Sequence, residues 1–169
     1  MEGTLKVTST NKIVIADYLN SQQGKDISYL LSCYASDPMG GGASLSSHVK
    51  EHLVSELAKI PNAFSLICYS DDKPVGLTNC FVGFSTFKCK PLINIHDIAV
   101  LRDYRGKGIG KLMLAKVEEI ARGKGCCKIT LEVLEGNEPA KQAYLKFGFA
   151  GYELDPDLGK ALYWQKIID

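Results

Sequence analysis

Residues 103–113, DYRGKGIGKLM, set three glycines among Arg105, Lys107 and Lys111 at the mouth of an amphipathic run. Glycines bare the backbone and basic residues seek anions, so the stretch reads as a phosphate cradle. Two nucleotide cradles fail on spacing. The Walker pattern needs GxxxxGK[ST], and here the run from Gly106 to Gly110-Lys111 is one residue short, with Leu112 in place of the hydroxyl. The dinucleotide pattern GxGxxG would put its third glycine at Lys111, counted from Gly106, or at Met113, counted from Gly108. What survives is Arg105-x-x-Gly108-x-Gly110 between a strand and a helix. The first N–H groups of that helix and its dipole favour an anion.

Just upstream, NIHDIAV (94–100) carries a second pair of reactive side chains. Alternation along a strand predicts that His96 and Asp97 face opposite sides of the sheet. A histidine titrates near neutrality and can take a proton from an ammonium group, directly or through water, while Asp97 can hold a cationic group. The pentapeptide HVKEH (48–52) fits HxxEH, a zinc-peptidase pattern, but no third ligand accompanies it. We read it as a solvated helix face and expect no metal. Cysteines at 33, 68, 80, 89, 126 and 127 form no CxxC pair, and Cys126-Cys127 are too close to share a metal comfortably, so they read as small apolar core residues.

The elements that must hold these groups follow from composition and periodicity. At 169 residues, 46% hydrophobic and 23% charged, the chain fits one globular domain, 1–169, with a full core. With 20 basic against 19 acidic residues it has no basic field, so no nucleic-acid partner is expected. The absence of a long apolar run and of a secretion signal predicts a cytoplasmic protein with no membrane partner. Extended segments are predicted at 4–8 and 12–18, then a helix over about 21–36 that ends before the flexible loop SDPMGGG. A second helix carries Val49, Leu53, Leu57 and Ile60 at helical spacing, with Ser46 or Ser47 as its N-cap. FSLICYS and PVGLTNCFVGF form a hairpin joined by Asp71-Asp72-Lys73-Pro74, and LINIHDIAV (92–100) makes the next strand. A helix over 109–123 presents Ile109, Leu112, Met113, Val117 and Ile120 on one face. A strand at 128–134, a helix with Pro139 in its first turn and Gly148 as its cap, and a last strand at 161–168 complete the order. The fold class is mixed α/β (α+β) with one βαβ unit.

Taken in order, INIHDIAVLRDYRGKGIGKLMLAKVEEIA (93–121) and LEVLEGNEPAKQAYLKFGF (131–149) resemble the acetyl-CoA-binding core of the GNAT N-acetyltransferase superfamily. The (Arg/Gln)-x-x-Gly-x-(Gly/Ala) signature is met at Arg105–Gly110, and the asparagine and tyrosine that follow it in the family are met by Asn137 and Tyr144. The resemblance implies a mostly antiparallel central sheet flanked by helices, with acetyl-CoA bound at the βαβ unit. It implies that the main chain of Arg105, Gly106, Lys107, Gly108, Ile109, Gly110 and Lys111 meets the pyrophosphate of coenzyme A. Ile98, Ala99 and Val100 would offer main-chain bonds to the pantetheine arm, Asn137 a side-chain bond to the cofactor, and Tyr144 the proton for the departing thiolate.

The implied activity is direct transfer of an acetyl group to a primary amine of a small molecule: a polyamine, an amino sugar or an amino acid-like compound. The stretch bears some resemblance to the diamine acetyltransferase branch, which carries two acidic residues where His96 and Asp97 stand. That departure leaves the base open between His96 and a water relay, with Asp97 and Asp37 as candidate binders of the cationic substrate. Asp155 and Asp157 would extend a negative vestibule. A coenzyme A-binding regulatory module and a protein or peptide N-acetyltransferase are the alternatives, and homodimers are common in the family.

Overall fold

The computed structural model describes residues 10–153, 155, 157 and 159–168. The chain divides after Leu134 into two compact units. The extended segment expected at 4–8 lies outside the described residues.

The first unit is built on a five-stranded sheet in the order β1 (Asn11–Ile15), β2 (Ala63–Ser70), β3 (Lys73–Ser85), β4 (Lys90–Val100) and β5 (Ile129–Leu131). Neighbouring strands are antiparallel except for the parallel pair β4–β5, which the βαβ crossover demands. Helices α1 (Ser21–Ala35), α2 (Ser47–Leu57) and α3 (Ile109–Gly123) belong to this unit. The Asn20 side chain starts α1 by accepting the Gln22 and Gln23 N–H groups at 3.0 and 3.1 Å. Ser46, not Ser47, starts α2 by accepting the Val49 N–H at 3.2 Å. The β2–β3 hairpin turns on Asp71 and Asp72, both left-handed at φ 48° and 62°, which suits the twist of the strands it joins.

Two apolar clusters, one on each face of the sheet, hold this unit together. Ile27 and Leu30 of α1 pack with Ile67 and Leu77, joined by Leu53 and Val54 of α2. On the other face Ile109 and Met113 of α3 pack with Cys68 and Val75. Each of these buried aliphatic side chains contributes about 1.5–3 kcal/mol. Gly76 makes the second contact possible: a Cβ there would meet Met113 Sδ at 2.7 Å. The buried stripe of α3 runs through Ile109, Met113, Leu114, Val117 and Ala121, whereas Leu112, expected on that face, is 46% exposed.

Two strands are shorter than their sequences suggest. The 12–18 segment pairs only as Asn11–Ile15, and the strand expected at 128–134 pairs only at Ile129–Leu131.

In the second unit, α4 (Glu138–Phe147) is capped by Asn137, whose side chain accepts the Ala140 N–H at 3.3 Å, with Pro139 in the first turn. Gly148, left-handed at φ 106°, closes it, and the Phe149 N–H returns to the Tyr144 carbonyl at 3.0 Å. The strand expected at 161–168 is not formed. Among the described residues nearby, one isolated bridge forms, Glu153 with Lys160, and an apolar run becomes a strand only where a ladder partner exists. No helix among the described residues is long and apolar enough to cross a membrane.

Candidate active site

The site begins at an irregularity in β4. Ile95 pairs with Cys80 and Asp97 pairs with Asn79, so His96 is an extra residue, a β-bulge. The bulge overturns the expectation that His96 and Asp97 face opposite sides. The His96 ring meets Phe81 edge-on, with centroids 5.8 Å apart, and Asp97 Oδ2 accepts the Asn79 amide at 2.9 Å. Phe81 and Asn79 stand two apart on β3 and share a face, so both site residues share it too. Strict alternation fails here because a bulge spends two residues opposite one. His96 is exposed and Asp97 half-buried.

The same bulge marks where β4 and β5 part. Their parallel ladder ends at Ile95 with Leu131, and bulges increase local strand twist, which turns one strand from its neighbour. Among the described residues, no strand pairs with the β5-side edge of β4 from His96 to Val100. Ile98, Ala99 and Val100 therefore lie along an open main-chain edge, while their other edge pairs with Thr78, Leu77 and Gly76.

That edge leads directly into the glycine loop. A 3-10 turn over Arg102–Tyr104 precedes Gly106 and Gly108, both left-handed at φ 73° and 81°, conformations that favour glycine. Ile109 is buried and pins the start of α3 to the core, so only its main chain faces outward. Side chains cap the other three helices, but none caps α3, whose first N–H groups have no partner within the helix. A Cβ built on Gly106, Gly108 or Gly110 meets nothing within 4 Å. Gly110 has no positive φ, so neither packing nor backbone strain accounts for its lack of a side chain. The loop thus fits a group that comes close to the main chain, as a pyrophosphate would.

The Arg105 guanidinium is engaged within the protein. Its Nε donates to the Val100 carbonyl and its Nη2 to Asp37 Oδ2, both at 2.9 Å. The Lys107 ammonium stands 5.0 Å from the centre of the Tyr104 ring, a cation–π contact. Asp37 is also occupied through its other oxygen, which accepts the Met39 N–H at 3.0 Å. The Met39 N–H and the Arg105 guanidinium hold the Asp37 carboxyl below its ordinary value.

Sequence reasoning singled out Asp37 but not the tyrosines of the cleft that these contacts border. A cavity of about 350 Å³ lies between the C-terminal half of α1, the loop after it and the end of β4, lined by Tyr29, Cys33, Tyr34, Asp37, Ala99 and Arg105 among others. Burial raises the Tyr34 hydroxyl, as do the charges of Asp97 and Asp37, so this phenol stays protonated near two carboxylates. The readable signal for Tyr34 was its place at the end of an amphipathic helix that leads into a Gly-rich loop.

The remaining predicted residues belong to the second unit. Asn137 spends its carboxamide oxygen on the cap of α4, which leaves the amide nitrogen for another role. Tyr144 lies within α4, its ring edge-on to Phe149 at 5.9 Å. Asp155 Oδ1 accepts the Asp157 N–H at 2.9 Å, a local turn bond. In the first unit, His48 and His52 stack at 4.5 Å, and His52 Nδ1 donates to the His48 carbonyl at 2.9 Å. Among the described residues, no group of three or more His, Cys, Asp or Glu side chains could hold a metal ion.

The chain therefore presents an open strand edge that runs into a glycine loop at a helix start. The model of the acetyltransferase (GNAT) family matches residues 31–149, and the chain belongs to that family. It is 35% identical over 96 residues to thialysine N-epsilon-acetyltransferase of Bos taurus, covering 57% of this chain and 53% of that protein. It is 41% identical over 66 residues to streptothricin acetyltransferase of Streptomyces lavendulae, covering 39% and 35%. The chain thus spans about half, or less, of the length of these curated relatives. The fold is that of an aminoglycoside acetyltransferase from an uncultured soil metagenomic sample, with a TM-score of 0.75 at 18% identity over 94% of this chain and 97% of that one.

Proposed function

We propose that this protein transfers the acetyl group of acetyl-CoA directly to a primary amine of a small molecule. The observation that carries the reading is the open edge of β4, His96 to Val100, followed through a 3-10 turn and the glycine loop by the capless start of α3. The first feature suits an extended amide-bearing arm and the second an anionic end, the two chemical parts of coenzyme A. When bound, acetyl-CoA supplies an activated acyl thioester. The main chain at Ile98–Val100 holds the arm and can polarise the acyl carbonyl, and the N–H groups of Ile109, Gly110 and Lys111 hold the phosphates.

The acceptor must arrive as an ammonium ion and lose a proton. Asp97 draws in the cation, and His96, brought to the same face by the bulge, takes the proton directly or through water. Tyr34 walls the cleft as a neutral donor. Tyr144 returns a proton to the thiolate, a role assigned from its place in the Asn137–Tyr144 motif. Asp37 shapes the cleft through its bond to Arg105 and is less suited than Asp97 to hold a second cation. The name of the Bos taurus relative points to an ε-amine and that of the Streptomyces relative to streptothricin, and both support a small-molecule acceptor.

The deciding experiment measures thiol release from acetyl-CoA with diamines, amino sugars, lysine analogues and peptides as acceptors. Turnover on small amines supports the reading. Tight coenzyme A binding with no turnover on any acceptor would overturn it in favour of a regulatory module, and peptide-only turnover would move the acceptor class.

A further inference from the structure

A row of polar side chains crosses the centre of the sheet where the neighbouring row is apolar. Ile67, Leu77 and Ala99 stand opposite one another on β2, β3 and β4, and one step along the same face stand Ser65, Asn79 and Asp97. Ser65 is fully buried and Asn79 is 4% exposed. Burying a hydroxyl and a carboxamide on two central strands is unfavourable unless every group is paired, and here each one is. Ser65 Oγ lies 2.9 Å from the Tyr18 hydroxyl and donates to Asn79 Oδ1 at 2.7 Å, and Asn79 Nδ2 donates to Asp97 Oδ2 at 2.9 Å.

The protons fix the direction. An ionised carboxylate only accepts, so Asn79 must turn its NH₂ to Asp97 and its oxygen to Ser65. Ser65 has one proton and gives it to Asn79, so Tyr18 must donate to Ser65. Burial raises the Tyr18 hydroxyl, which keeps that donor protonated. Every bond therefore points toward Asp97, and such chains strengthen as they polarise. An amide keeps its protons, so the row is a strut and not a proton wire. It holds Oδ2 of Asp97, while Oδ1 takes no hydrogen bond from the described residues.

We propose that Tyr18, Ser65 and Asn79 are positioning residues that fix the charged Asp97 carboxylate, with Oδ1 left for the ammonium group of the acceptor. This rests on the amine-transfer reading above. The other titratable groups whose charge meets Asp97 are Tyr34 of α1, where Asp37 also acts, and Cys80 of β3; His96 shares its face. None of them replaces the Asn79 bond.

The test is a double-mutant cycle on the full chain, with Ser65→Ala and Tyr18→Phe measured in the native and Asp97→Asn backgrounds. Tyr18→Phe keeps the ring and guards against a variant that fails to fold. The expected result is a rise in amine KM of about tenfold, the scale of one hydrogen bond to a charged group, with the acetyl-CoA KM unchanged. In the Asp97→Asn background the same substitutions should add nothing. An equal effect in both backgrounds, or parallel shifts of the two KM values, would overturn the proposal. The chain can also be judged without turnover, from the Asn79 side-chain amide resonances. A shift on Tyr18→Phe supports the strut even if every amine fails and the transfer reading falls, while unmoved resonances refute it.

Discussion

Arg105 Nη2 donates to Asp37 Oδ2 at 2.9 Å across 68 residues of sequence, so the first residue of the glycine signature is tied to the loop after α1. Its Nε bond to the Val100 carbonyl fixes the same side chain to the end of β4. One guanidinium thus joins the two walls of the cleft.

A lysine cannot make both bonds, because it lacks the planar fork. Arg105→Lys should loosen residues 37–42, visible as faster amide exchange there. The pair is half-exposed, so the global cost should be about 1 kcal/mol or less. Coenzyme A affinity should change less than with a substitution at Gly110. A larger loss with Arg105→Lys would return the guanidinium to the phosphates.

Acid should release the same contact. The Asp37 carboxyl is held below its ordinary value of 3.8, so its contribution is fully present above that value and is lost as pH falls through the lower folded value. Amide exchange at 37–42 should therefore rise only below about pH 4. Asp37→Asn should be loose at every pH. Loosening that sets in near neutrality would assign the effect to another group.

Gly110 separates folding from binding. It has no positive φ, and a Cβ added there would meet nothing within 4 Å, so Gly110→Ala should raise helix stability by about 0.5–1 kcal/mol. If the main chain there meets a phosphate, coenzyme A should bind about tenfold more weakly, measured by calorimetry. Gly108→Val, at φ 81°, should instead lose both stability and binding. Unchanged affinity in Gly110→Ala would remove the phosphates from this loop.

Tyr144→Phe should lower turnover on the order of 10²-fold while coenzyme A affinity holds, as expected for loss of a proton donor. Equal loss of both would give the hydroxyl a binding role.

Thr78 Oγ1 is buried in β3 without a hydrogen-bond partner among the described residues. Thr78→Val exchanges that hydroxyl for a methyl and should raise stability by about 1 kcal/mol, roughly 2–4 °C in Tm. A lower Tm would reveal a bound water that the hydroxyl serves.

What could be read in the sequence was local. The helix 109–123, the Asn137 and Gly148 ends of α4 and the Asp71-Asp72 turn each depend on residues a few positions apart, and each came out where periodicity and caps put them. The GNAT signature was legible for the same reason. What escaped depends on pairing between strands. The bulge at His96 exists only relative to β3, and the short β5 only relative to β4. The segment 161–168 has strand composition but no ladder, which composition cannot supply. The Ser65–Asn79–Asp97 row and the Arg105–Asp37 pair join residues 14 to 68 apart, beyond any spacing rule.

The extra residue at His96 acts on β4 as a change of phase. Before it, odd-numbered Ile93 and Ile95 sit opposite Val82 and Cys80; after it, odd-numbered Asp97 and Ala99 sit opposite Asn79 and Leu77, on the other side of the pleat. Were His96 paired into the ladder instead of bulged, strict alternation would carry Asp97 to the side of Ile93 and Ile95 and Ile98 to the side of Asn79. The face that Asp97 takes thus depends on a frameshift written into a strand, and an insertion or deletion at a paired position of β4 should be far less tolerated than a substitution.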